Sequence, residues 1–113
     1  MNELLQKIRD FRNKRDWDQF HSPKNLSTAL VIEAAELAEH FQWLTQEQSR
    51  NLSDKQLAEI KDEIGDVLIY LVNLSDKLNI NPLEAAHAKL EKNKEKYPAD
   101  KVKGKADKYS TYK

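Results

Sequence analysis

The chain has 113 residues, room for one small domain and a modest core, so a deep site calls for a second copy of the chain. Its nineteen basic and nineteen acidic side chains cancel, which removes any global field that would favour nucleic acid or an anionic membrane. The absence of cysteine excludes disulfides and thiolate metal sites, and no apolar run approaches the roughly 20 residues of a membrane span.

Few glycines and prolines interrupt a sequence rich in Leu, Ala, Glu and Lys, so an all-α domain is expected. The first predicted helix covers residues 2–15, with Leu4, Leu5, Ile8 and Phe11 as its apolar stripe. This amphipathic start is unlike a secretion signal and points to a cytoplasmic protein. "DWDQFHSPKN" breaks the pattern and reads as a structured, aromatic-rich loop, because Pro23 disfavours helix at Ser22. The second helix is expected from about residue 25 to 44, followed by the polar connection "TQEQSRNL".

Ser53 and Gln56 then form a capping-box signature for a third helix that runs to about residue 78. At "NPLE", Asn81 can cap, Pro82 suits the first helical position and Glu84 completes another box. This fourth helix should end near Tyr97, which gives a domain over residues 1–97 and a basic tail over residues 98–113. The tail reads either as a solvated end or as a segment that folds over an anionic ligand or a neighbouring subunit.

At about 100° per residue, Leu30, Ala34, Leu37, Phe41 and Leu44 share one face of the second helix, with Glu33, Glu36 and His40 along its edge and Trp43 just beyond. On the third helix Ile60, Ile64, Val67, Leu71 and Leu74 form the apolar face, and Glu59, Glu63, Asp66 and Tyr70 follow the same edge in the same sense, with Asn73 beside them. Two antiparallel helices packed through such faces bring their acidic stripes to one side of the pair. Glu33 and Glu36 of "EAAE" can therefore meet Glu63 and Asp66 of "EIGD".

Four carboxylates at an apolar border repel one another unless a cation neutralises them. All-oxygen ligation suits Mg²⁺ or Mn²⁺, and the chemistry implied is metal-assisted attack on a phosphate ester or anhydride. With 34% of residues charged, a single E-x-x-E is usually a solvated face, but two matched stripes are much less readily explained that way. A di-iron bundle would require Glu-x-x-His on two helices, and acids stand where those histidines belong. His87, alone on the fourth helix, reads as an ordinary surface or core histidine.

E-x-x-E followed about thirty residues later by E-x-x-D resembles the signature of the MazG-like all-α nucleoside triphosphate pyrophosphohydrolases. "RDWDQFHSPKNL", "EAAELAEHFQW", "DEIGDVLIYLVNL", "KNKEKYPA" and "ADKYSTY" look, in that order, like the dCTP pyrophosphatase branch of that family. The resemblance implies hydrolysis of a nucleoside triphosphate to the monophosphate and pyrophosphate, with Glu33, Glu36, Glu63 and Asp66 as catalytic Mg²⁺ ligands. The metal would hold the phosphates and activate a water, with Glu36 helping to orient or deprotonate it.

By the same resemblance Trp17 and Trp43 would be base-pocket aromatics, and His21 and Tyr70 would line the pocket. Lys89, Asn93 and Lys96 would face the outer phosphates, and Tyr109, with Lys108, would close over them. The fold implied is a four-helix unit with a central antiparallel helical hairpin, assembled into a homo-oligomeric bundle, a dimer or a tetramer, with pockets completed across subunits. A deoxycytidine triphosphate or a modified one is the leading substrate. dATP, dUTP or broad dNTP specificity remains open, as does a non-enzymatic nucleotide-binding adaptor or stress-response partner. Departure from the dCTP branch near Ile8 leaves the base preference open.

Overall fold

A computed structural model describes residues 1–104, whose regular structure is all helix, with no strand among them. In chain order the elements are α1 (Asn2–Lys14), a 3₁₀ turn (Asp18–Phe20), α2 (Pro23–Glu39), α3 (Gln46–Arg50), α4 (Asp54–Lys77), α5 (Pro82–Lys96) and α6 (Ala99–Val102). The chain forms two compact units, one of residues Met1–Ile80 and a second that begins at Asn81. Helices α1 and α4 match their predicted counterparts closely.

The second helix starts earlier than periodicity suggests. Ser22 is extended, as a residue before proline must be, and its hydroxyl accepts from the Asn25 N–H while Pro23 fills the first turn. It also ends earlier, at Glu39. Beyond that point the Phe41 N–H bonds to the Ala38 carbonyl at 3.0 Å and the Leu44 N–H to the Phe41 carbonyl at 2.9 Å, so the chain tightens into three-residue turns. His40 and Trp43 therefore stand in a turn rather than on a helical face.

The polar connection contains a helix that its composition concealed. Thr45 and Gln48 make a reciprocal capping box at the start of α3, the same device that Ser53 and Gln56 use at α4. Each box satisfies two backbone donors that the first helical turn leaves unpaired. Helix α4 stops where Asn79 turns left-handed, at φ 55°. In the second unit Asn81 Oδ1 accepts from the Leu83 and Glu84 N–H groups and starts α5.

Helix α4 is the spine of the first unit, with α1 and α2 packed along it. Both neighbours run antiparallel to it: Arg9 and Arg12 reach Asp76 and Asn73 in reverse order, and Glu36 with His40 faces Glu63 while Glu33 feels Asp66. The buried apolar core is Ile8, Leu26, Ile60 and Val72. Two residues assigned by the helical wheel to the packed face of α4 lie outside it, since Ile64 is 53% and Leu71 39% exposed. The apolar arc of α4 is wider than α1 and α2 can cover.

A buried polar network fixes α1 to α4. Asp76 accepts from Arg9 Nη2 at 2.5 Å and from Arg12 Nη2 at 2.8 Å, and Arg12 Nη1 donates to Asn73 Oδ1 at 3.0 Å. The two guanidinium groups hold the Asp76 carboxyl down to about 2, against the opposing effect of burial. Asp18, on the 3₁₀ turn, pairs with Lys77 and lies 3.4 Å from Arg12 Nε, which fastens the aromatic loop to the same end of α4.

Candidate metal centre

Glu33 and Glu36 sit one turn apart on α2, facing Glu63 on the antiparallel α4. One carboxylate oxygen from each of the three lies within 4.8 Å of the others. The Oε2 atoms of Glu33 and Glu63 are buried and lack a hydrogen-bond partner, although buried carboxylate oxygens normally have one. Burial, then the hydrogen bond and charge of Glu36, then the charges of Asp66 and Glu63 raise the Glu33 carboxyl to about 7.

Carboxylates gathered in this way repel one another, and a cation held among them would neutralise that repulsion. An all-oxygen donor set with two unsatisfied atoms fits a hard divalent ion such as Mg²⁺ or Mn²⁺. Asp66 stands outside the three-carboxylate set, one turn beyond Glu63 and exposed, yet its charge reaches Glu33. His40 Nε2 lies 4.0 Å from Glu63 Oε1, at the rim of the cluster.

Asp66 also lines an adjoining cavity of about 390 Å³ between α1, the aromatic loop and α4. Its walls include Phe11, Trp17, His21, Ile69, Tyr70 and Asn73, an apolar chamber with few polar groups, as small-molecule pockets commonly are. Trp17 meets Phe11 edge-on at 5.6 Å, and the Arg15 guanidinium covers Phe11 at 3.7 Å from its centroid. Burial first, then the charges of Arg12 and Lys77, lower the His21 pKa, which favours the neutral imidazole.

The cavity thus gathers Trp17, His21 and Tyr70 beside Asp66, but not Trp43, which is 86% exposed in its turn. Lys89, Asn93 and Lys96 occupy one face of α5 at helical spacing, within the second unit. There the charge of Lys96 leads the causes that lower the Lys89 pKa, a crowding of cations suited to an anion. Tyr109 lies outside the described residues.

Sequence reasoning missed Arg12 and Asn73 as cavity residues. Asn73 carried a readable signal, an amide one turn beyond Tyr70 inside the apolar "LIYLVNL". Arg12 carried none, because a lone arginine near a helix end is ordinary.

Known proteins resemble this chain in sequence and in fold. The model of the MazG-like family matches residues 28–111. The chain is 41% identical over 103 residues to mouse dCTP pyrophosphatase 1 and 40% identical to the human protein of that name, in each case over 89% of this chain. It spans 61% of the length of those mammalian relatives. A crystal structure of a pyrophosphatase from Archaeoglobus fulgidus superimposes with a TM-score of 0.83 at 46% identity, covering 87% of this chain and 92% of that one. An all-α fold, a carboxylate cluster built from paired acidic turns and these matches lead to one assignment: the chain belongs to the MazG-like family.

Proposed function

We propose that this chain hydrolyses a nucleoside triphosphate between the α and β phosphates, releasing the monophosphate and pyrophosphate, with deoxycytidine triphosphates as the leading substrate class. One observation carries the reading: a converging set of three carboxylates, with two buried oxygens unpaired, adjoins an aromatic cavity through Asp66. Dimensions support it as well, since about 390 Å³ suits a base and sugar better than a whole triphosphate. The names of the mammalian relatives point to the same substrate class.

Glu33, Glu36 and Glu63 would hold a divalent cation, with Asp66 completing the negative shell on the cavity side. When bound, Mg²⁺ supplies the positive charge that offsets the phosphates and polarises the phosphoryl oxygens. Trp17 offers a face on which a base can stack, a contact worth roughly 1–3 kcal/mol per base. Tyr70 and His21 border that base. Glu36 is the carboxylate assigned to accept a hydrogen bond from the attacking water and orient it toward the α phosphorus. On the second unit, Lys89, Asn93 and Lys96 form the α5 face assigned to phosphate binding, where lysine acts as a point charge.

The catalytic unit is a homo-oligomer, a dimer or a pair of dimers. Leu57, Ile64, Leu71 and Leu78 follow one another at seven-residue spacing along α4, each at least 39% exposed, with Val31 and Ile32 exposed on α2. Such a continuous apolar stripe is what a second copy of the chain would cover. The 86% exposed Trp43 is then available to close a cavity across the interface.

The test is direct. Purified protein is incubated with each dNTP and Mg²⁺, and products are separated by ion-exchange chromatography. Monophosphate and pyrophosphate, abolished in Glu36→Gln and Asp66→Asn, are expected. Free phosphate as the main product would indicate γ cleavage, and no turnover of any nucleotide would leave an adaptor as the better account.

A further inference from the structure

Asn73 lines the cavity although it is only 4% exposed, and its amide is half satisfied. Arg12 Nη1 donates to Asn73 Oδ1 at 3.0 Å, while the amide NH₂ has no acceptor among the described residues. The orientation follows from chemistry. A guanidinium can only donate, so the atom that faces it must be the oxygen, and the NH₂ is turned away from Arg12.

Arg12 has little freedom to release that grip. It is 8% exposed, its Nη2 donates to Asp76 Oδ2 at 2.8 Å, and Asp76 is held from its other side by Arg9. Rotating Arg12 would strip a partner from a nearly buried carboxylate and leave a buried cation short of acceptors, and both changes are costly. Asp76 stays ionised at any working pH because those guanidinium groups depress it to about 2. His21 Nδ1, in the same cavity wall, is a buried polar atom without a partner.

We infer that Arg12, anchored by Asp76, is a positioning residue that locks the Asn73 amide with its NH₂ offered to the cavity. This donor selects ring ligands with an in-plane hydrogen-bond acceptor, such as a pyrimidine carbonyl or ring nitrogen. The inference deepens the nucleotide reading and rests on it for the identity of the ring. A water can satisfy the amide when the cavity is otherwise empty, but a ligand that displaces it without an acceptor leaves the donor unpaired.

The selectivity test compares kcat/KM for dCTP with that for the triphosphate of the 2,4-difluorotoluene deoxynucleoside, a ring of pyrimidine size that accepts hydrogen bonds poorly. The intact protein is expected to favour dCTP by roughly tenfold or more. In Asn73→Leu that ratio should collapse toward one, and in Arg12→Leu it should fall partway, because the freed amide can turn either way. An unchanged ratio in Asn73→Leu overturns the inference. Circular dichroism and the melting temperature of each variant separate this from misfolding, which would lower both rates without moving their ratio.

A second measurement is independent of turnover. In ¹⁵N-labelled protein, the Asn73 side-chain NH₂ resonances are followed while dCMP or inorganic pyrophosphate is added. A shift with dCMP and none with pyrophosphate is expected, and resonances indifferent to saturating dCMP overturn the proposal. If no triphosphate is hydrolysed yet dCMP shifts the amide, the catalytic reading fails and the assignment of the donor stands.

Discussion

Glu33 carries the clearest residue-level consequence. Its carboxyl is raised to about 7, so near neutral pH a proton competes with any cation for the site. Mg²⁺ affinity, followed by isothermal titration calorimetry, should tighten from pH 6 to pH 8 with proton release on binding, and Glu33→Gln should flatten that dependence. The sign for stability is opposite. A folded pKa above the usual carboxylate value means that the metal-free protein loses stability as pH rises from about 4.5 through 7, and Mg²⁺ should restore it. Asp76 behaves conversely, since its folded pKa of about 2 lies below the normal 3.8. Its contribution, about 2 kcal/mol, is present above pH 4 and is lost as pH falls toward 2, so Asp76→Asn should lower urea stability at pH 7 by at least that order.

Among the elements, α4 depends on its start. Ser53→Ala removes the side-chain acceptor of the Gln56 N–H and half of the capping box, with an expected loss of about 1 kcal/mol in urea unfolding. The matching Thr45→Ala at α3 should cost less globally, because five residues of helix carry little of the core. Helix α4 was readable because cap, apolar period and acidic stripe all agree over its 24 residues. The end of α2 was not. "HFQWL" continues the apolar period past Glu39, yet its backbone tightens into turns, an outcome that periodicity does not encode.

At the scale of the molecule, four buried aliphatic residues make a thin core, while the seven-residue stripe of α4 remains open to solvent. If that stripe is covered by a second copy, as proposed above, wild-type protein should sediment as an oligomer and Ile64→Glu, in the middle of the stripe, as a monomer. On the same proposal it should also reduce turnover, because Trp43 would close a cavity only within that assembly. An unchanged sedimentation coefficient would remove the stripe as the interface.

The sequence by itself determined the helical class, the Ser53–Gln56 capping box, the Asn81 cap and the meeting of Glu33 and Glu36 with Glu63. Those features follow from local chemistry and from helical period, which act over a few residues and survive in any packing that pairs the two apolar faces. Tertiary structure decided what depends on neighbours far along the chain. It set Asp66 between the acidic cluster and the cavity, left Ile64 and Leu71 in solvent, and joined Arg12 to Asn73 across 61 residues. The physical reason is that burial, and with it the strength of every charge and hydrogen bond, is a property of the packed surfaces, which no single helix contains.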